Sequence, residues 1–167
     1  AYVYRRTTAQ IKEAIIAGQF EDNARMERMD VIFANRYIDA YYHFKENGTI
    51  SRSWQIPFQA GRDKLTIMQH LLLGMNAHIN LDLGIAAAEV ANGSAIDGIK
   101  NDFMKVNDIL ESLTQEMQSR ISRISLLMIL LDIIGENNDE VIMNFSIVKA
   151  REQAWGFARR LALVDDP

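Results

Sequence analysis

Apolar residues recur at three- and four-residue steps along most of this chain, the period of helices with one buried face. The spacing predicts five of them. The first follows the cap-like pair Thr7-Thr8 with Gln10 and stops at Gly18. The second begins near Asp22, carries Met26, Met29, Phe33, Tyr37 and Tyr41, and stops at Asn47-Gly48. Residues 47–61, with Trp54, Pro57 and Phe58, read as a packed loop that could lid a pocket or cover an oligomer contact. The third helix starts around Arg62 and Asp63 and continues to Asn92-Gly93. A fourth opens near residues 97–101 and repeats Phe103, Val106, Leu110, Leu113, Met117 and Ile121 on one face. It is expected to bend or break near residues 122–125 before the apolar run 126–134, and Gly135 closes it. Asn137 with Glu140 forms a capping box for the last helix, which reaches Leu163. There is no strand-like alternation of any length and no internal repeat, so the expectation is an all-α, single-domain bundle over residues 1–167.

Several polar residues interrupt these apolar stripes. In the second helix Asp30 shares a side with Met26, Phe33, Ala34, Tyr37 and Tyr41, while Asn35 and Asp39 fall opposite, with His43 nearby. In the third, His78, Asp82 and Glu89 share a face with Ile67, Leu71, Gly74, Met75 and Ile85. Gln69, Asn76 and Asn80 form a second polar row, with His70 between the two. In the last helix Asn144, Arg151 and Trp155 lie with Ile147, Val148, Ala158 and Ala162. Burying a polar group without a partner costs roughly 2–7 kcal/mol. The polar groups should therefore meet one another: Asp30, His78, Asp82, Asn144 and Arg151 are expected to line a polar cavity between helices two, three and five. A buried guanidinium in particular wants a carboxylate, and Asp30, Asp82 and Glu89 are the available mates.

Composition narrows the classes. With 49% hydrophobic and 24% charged residues the chain is an ordinary globular one. A formal charge of −4, with Lys and Arg dispersed, gives no nucleic-acid footprint. No cysteine is present, which removes disulfides, thiolate zinc sites and cysteine nucleophiles. The longest apolar run falls well short of the about 20 residues of a membrane span. No signal-peptide pattern opens the chain, so a cytoplasmic protein is the default, although the start at Ala1-Tyr2-Val3-Tyr4 is consistent with an upstream segment having been removed.

His78 and Asp82 stand four apart, where helical side chains meet. That spacing suits a hydrogen-bonded pair that fixes packing, a metal pair extended by Asp30 and His70 around a divalent ion, or a catalytic pair with His78 as acid or base and Arg151 clamping an anionic group. Asp30, Asn76, Asn80, Asn144, Arg151 and Trp155 are the candidate ligand contacts. No His-Glu-x-x-His, Gly-x-Ser-x-Gly or glycine-rich phosphate loop is present to name a reaction. Two functional expectations follow. One is a structural or small-ligand-binding domain, with a homo-oligomer as a further expectation; the other is a metal-assisted hydrolase or other small-molecule enzyme.

Three segments carry a family resemblance: residues 29–37 (MDVIFANRY), residues 73–83 (LGMNAHINLDL), and residues 144–147 (NFSI) with 150–155 (AREQAW). Together they resemble a bacterial family known as domain of unknown function 5995, the middle segment most specifically. The resemblance extends over nearly the whole chain and implies a helical domain, usually preceded by further residues, with no activity to transfer. The middle segment is also loosely similar to the His/Asp-rich helices of zinc-dependent phospholipase C, but three histidines are too few for a trinuclear zinc site.

Overall fold

The computed structural model describes residues 2–91, 93–122 and 138–164. They are all-α, and no strand occurs among them. The elements are α1 (Tyr2–Ile16), α2 (Asn23–Lys45), α3 (Arg52–Ala60), α4 (Ile67–Ala77), a π-helical turn (His78–Leu83), α5 (Gly84–Ala91), a 3-10 turn (Gly93–Ile99), α6 (Lys100–Ser122) and α7 (Asn138–Val164). With α4, the π turn and α5 taken as the one uninterrupted helix they form, the described residues hold six helices where the periodicity predicts five.

Local chemistry sets the boundaries. Gly18 and Asn47 both adopt the left-handed conformation, with φ of 67° and 57°. Each closes its helix with paired bonds: Gly18 N–H to Ile15 O and Gln19 N–H to Ala14 O, then Asn47 N–H to Phe44 O and Gly48 N–H to His43 O. Both stops fall where the sequence places them. The start of α1 does not, since Thr7 and Thr8 lie inside a helix that is already running from Tyr2. The loop expected over residues 47–61 is also corrected, because residues 52–60 are helical. Ser51 caps α3 by accepting the Trp54 N–H, and Pro57 is tolerated six residues into a short helix although it cannot supply the usual bond to Ser53. Helix α4 begins later than expected, at a capping box: Thr66 accepts the Gln69 N–H, and the Gln69 side chain returns to the Thr66 N–H. The apolar run 126–134, Gly135 and the Asn137 cap lie outside the described residues.

The chain divides into two compact units. The first comprises Ala1–Glu27 and Ile99–Lys149. In it α1 buries Ile11 and Ala14, and α6 buries Phe103, Val106 and Leu113 at helical spacing. Asp102, 1% exposed, accepts the backbone N–H groups of Glu21 at 2.7 Å and Asp22 at 3.0 Å and faces Arg25 Nη2 at 3.5 Å. A buried carboxylate thus satisfies the turn that leads into α2.

The second unit comprises Arg28–Gly98 and Ala150–Pro167. Helix α5 is buried through Gly84, Ala86, Ala87, Ala88 and Ala91, small residues that allow neighbouring backbone to come close. A Cβ on Gly84 would stand 2.6 Å from the Phe157 ring and 2.9 Å from the Ala154 carbonyl oxygen, so α7 approaches the α5 backbone directly. On α7, Arg151, Trp155, Ala158 and Ala162 are buried, as its periodicity predicts, and so is Ala154, whereas Val148, expected on the same face, is 38% exposed. Around α3, Ala40, Trp54 and Ala77 form a buried cluster with Tyr37, Ile50 and Phe58 packed against it.

Candidate functional site

The second unit gathers its polar side chains at the π-helical turn. Bonding from i to i+5 widens the helix there, a local irregularity often found at functional sites. His78 opens the turn and Asp82 lies within it, and the two side chains meet, His78 Nδ1 standing 3.0 Å from Asp82 Oδ2. An ionised carboxylate only accepts hydrogen bonds, so this pairing places the imidazole proton on Nδ1. Trp54, brought in by α3, donates its indole N–H to the same oxygen at 2.9 Å. From α2, Arg36 sets its Nε 3.6 Å from Oδ1. Asp82 is itself only 3% exposed. Two elements distant in sequence, α2 and α3, therefore converge with His78 of the same turn on one carboxylate.

Aromatic rings complete the surroundings of His78. Phe33 stacks on the imidazole, with ring centroids 3.7 Å apart and planes 10° from parallel. Tyr37 and Trp54 flank it, each at 5.8 Å between centroids. The imidazole is thereby locked in one orientation, with its Nε2 buried. Asp82 and Arg36 stand differently, since both line a cleft of about 260 Å³ shared with Asp39, His43, Ser51 and Trp54. Arg36 retains 35% exposure of its side chain, so its guanidinium joins the buried carboxylate to open space.

The structure brings His78 and Asp82 together but distributes the other expected site residues. Asp30 is half-buried on α2, and burial raises its pKa to about 6. Arg151 is buried on α7, and burial lowers its pKa to about 9. Neither is among the partners of Asp82: Arg36 takes the place expected for Arg151. Glu89, a candidate mate of Arg151, is exposed. Asn80 donates to Asn76 within the same helix, apart from the cleft. Trp155 is buried on α7 and His70 half-buried on α4. The side chain of Asn144 lies outside the described residues. Among the described residues no group of three or more His, Asp or Glu side chains is placed to hold a metal ion, so the set His78, Asp82, Asp30 and His70 does not assemble. No helix of the described residues is long and apolar enough to cross a membrane.

Sequence reasoning missed Arg36, Trp54 and His43 as site residues. Arg36 carries a weak signal: it lies three residues after Phe33 and one before Tyr37, at the border of the aromatic stripe. Trp54 is marked only as part of a packed segment that could lid a pocket, and its partner cannot be named until α3 is recognised as a helix.

Comparison with known proteins yields a family and no activity. The model of a family described as "Family of unknown function (DUF5995)" matches residues 1–167, and the chain belongs to that family. No curated protein and no solved structure matches the chain.

Proposed function

We propose that this member of the DUF5995 family binds a small polar molecule in the cleft beside Asp82. Arg36 and Trp54 form its working wall, and Asp82 with His78 is the support behind it. One observation carries the reading: a buried carboxylate with two hydrogen bonds and an ion pair lines a cleft of about 260 Å³ together with its ion-pair partner Arg36, whose side chain is 35% exposed. Small-molecule sites combine a concave surface, an apolar wall and a few fixed polar groups. Here Ala40, Ile50, Trp54 and Leu81 supply the apolar wall, while Arg36, Asp39, His43 and Ser51 supply the polar groups.

A thermal-shift screen against small polar metabolites tests this, comparing the wild type with Thr49→Trp. Thr49 is exposed at the cleft, so the indole fills the space without disturbing the core. Compounds that raise the melting temperature of the wild type and leave Thr49→Trp unaffected are the expected result. Equal stabilisation of both proteins would place binding elsewhere and end this reading.

A second reading has its own observation. Because Asp82 is 3% exposed, takes two hydrogen bonds on Oδ2 and pairs with Arg36 through Oδ1, the cluster would also serve as a structural pin for α2, α3 and the π turn. If pinning is its whole role, substitutions at Asp82 lower stability and Thr49→Trp changes no binding.

A further inference from the structure

We infer that the cleft is selective for an oxyanion, a small carboxylate or phosphate, and that Arg36 is the residue that determines this; the inference rests on the binding reading above.

Asp82 is one of two carboxylates that line the cleft, yet its Oδ2 accepts both Trp54 Nε1 and His78 Nδ1, and its Oδ1 faces Arg36 Nε. At 3% exposure it has little capacity left for a ligand cation. Arg36 is in the opposite condition. A guanidinium has five N–H donors in a rigid plane. Its Nε is buried at the ion pair with Asp82, while the side chain as a whole is 35% exposed and lines the cleft, so an anion there would be held by the two terminal nitrogens. Two parallel N–H pairs on a planar fork match the two oxygens of a carboxylate or phosphate. The ion pair with Asp82 draws the guanidinium toward the cleft wall and so reduces the side-chain ordering that binding would otherwise require.

The rim modulates the preference. Asp39 and His43 follow Arg36 at three and seven residues on α2, and both are exposed where they line the cleft. Asp39 is the one cleft carboxylate that carries no hydrogen bond or ion pair among the described residues, so it repels an anion held by Arg36. Replacing it should therefore strengthen anion binding, whereas it would weaken the binding of a cation.

Four probes separate the possibilities: succinate and inorganic phosphate as oxyanions and, on the same four-carbon length as succinate, succinamide as the neutral isostere and 1,4-diaminobutane as the cation. Each is titrated into 15N-labelled protein while the Trp54 indole N–H resonance is followed, its assignment fixed by Trp54→Phe. Saturable shifts with succinate and phosphate, and none with the other two, are expected. Arg36→Lys keeps the charge but loses the fork, and should weaken succinate binding at least tenfold; Asp39→Asn should strengthen it severalfold. Saturable binding of diaminobutane or succinamide without the anions would overturn the oxyanion assignment and leave the binding reading standing. Succinate binding unchanged by Arg36→Lys would overturn the role of Arg36. No saturable shift with any probe would overturn both the selectivity and the binding reading.

Discussion

Trp54 donates its indole N–H to Asp82 across 2.9 Å, joining a nine-residue helix to the π-helical turn 28 residues further along the chain. A hydrogen bond to a charged group contributes about 1.5–3 kcal/mol, and its loss here leaves a buried carboxylate under-satisfied. Trp54→Phe keeps an aromatic ring in the cluster and removes the donor. Denaturant unfolding should show a loss of about 2–3 kcal/mol. A change below about 0.5 kcal/mol would mean that the bond does not hold α3 in place.

Asp30 makes stability depend on pH. Its folded pKa, raised by burial to about 6 from 3.8, means that the native state keeps a proton that the unfolded chain releases between those values. Stabilisation from this group is complete below the unfolded pKa and is lost as pH rises through about 6. The stability of the wild type relative to Asp30→Asn should accordingly fall from pH 4 to pH 7, by up to about 3 kcal/mol. A flat difference across that window would show that Asp30 titrates as an ordinary surface carboxylate.

Gly84→Ala sets two effects against each other. Alanine is favoured over glycine in a helix by about 1 kcal/mol. The added methyl, however, meets the Ala154 carbonyl oxygen at 2.9 Å and the Phe157 ring at 2.6 Å, and a backbone carbonyl cannot swing aside. Overpacking of this kind costs about 1–3 kcal/mol. A lower melting temperature is expected; a higher one would show that α5 and α7 separate at little cost.

In the first unit Asp102 is the counterpart of Asp82, a carboxylate 1% exposed that accepts two backbone N–H groups. Asp102→Ala strands both donors, and unfolding measurements should show a loss of about 2–5 kcal/mol. Asp102→Asn retains one acceptor oxygen and should cost less. Equal stability of the two variants would remove the turn before α2 from the role assigned to it.

How far the sequence discloses this protein depends on whether a contact is local. The buried face of α7 was legible because Arg151, Trp155, Ala158 and Ala162 follow a single helical period. His78 and Asp82 were legible as a pair because they stand four apart in one helix. Helix α3 was not, since nine residues with an internal proline give too short a period to separate from a loop, and its signal reduces to the Ser51 cap. The Thr66–Gln69 capping box was present in the sequence but lost to the polar residues just before it. The partners of Asp82 were hidden for a different reason. Trp54 and Arg36 lie 28 and 46 residues away from it, and only the packing of α2 and α3 against the π turn selects Arg36 over Arg151. Periodicity finds which residues face inward, and cannot pair them across elements.

A crystal structure of the protein soaked in succinate most directly tests whether the cleft is a binding site supported by Asp82. The expected result is a carboxylate of succinate within hydrogen-bonding distance of both terminal nitrogens of Arg36, against Trp54, with the bonds of Asp82 to Trp54 and His78 intact. An empty cleft in a crystal of protein that binds succinate in solution, or succinate bound away from Arg36, would contradict it.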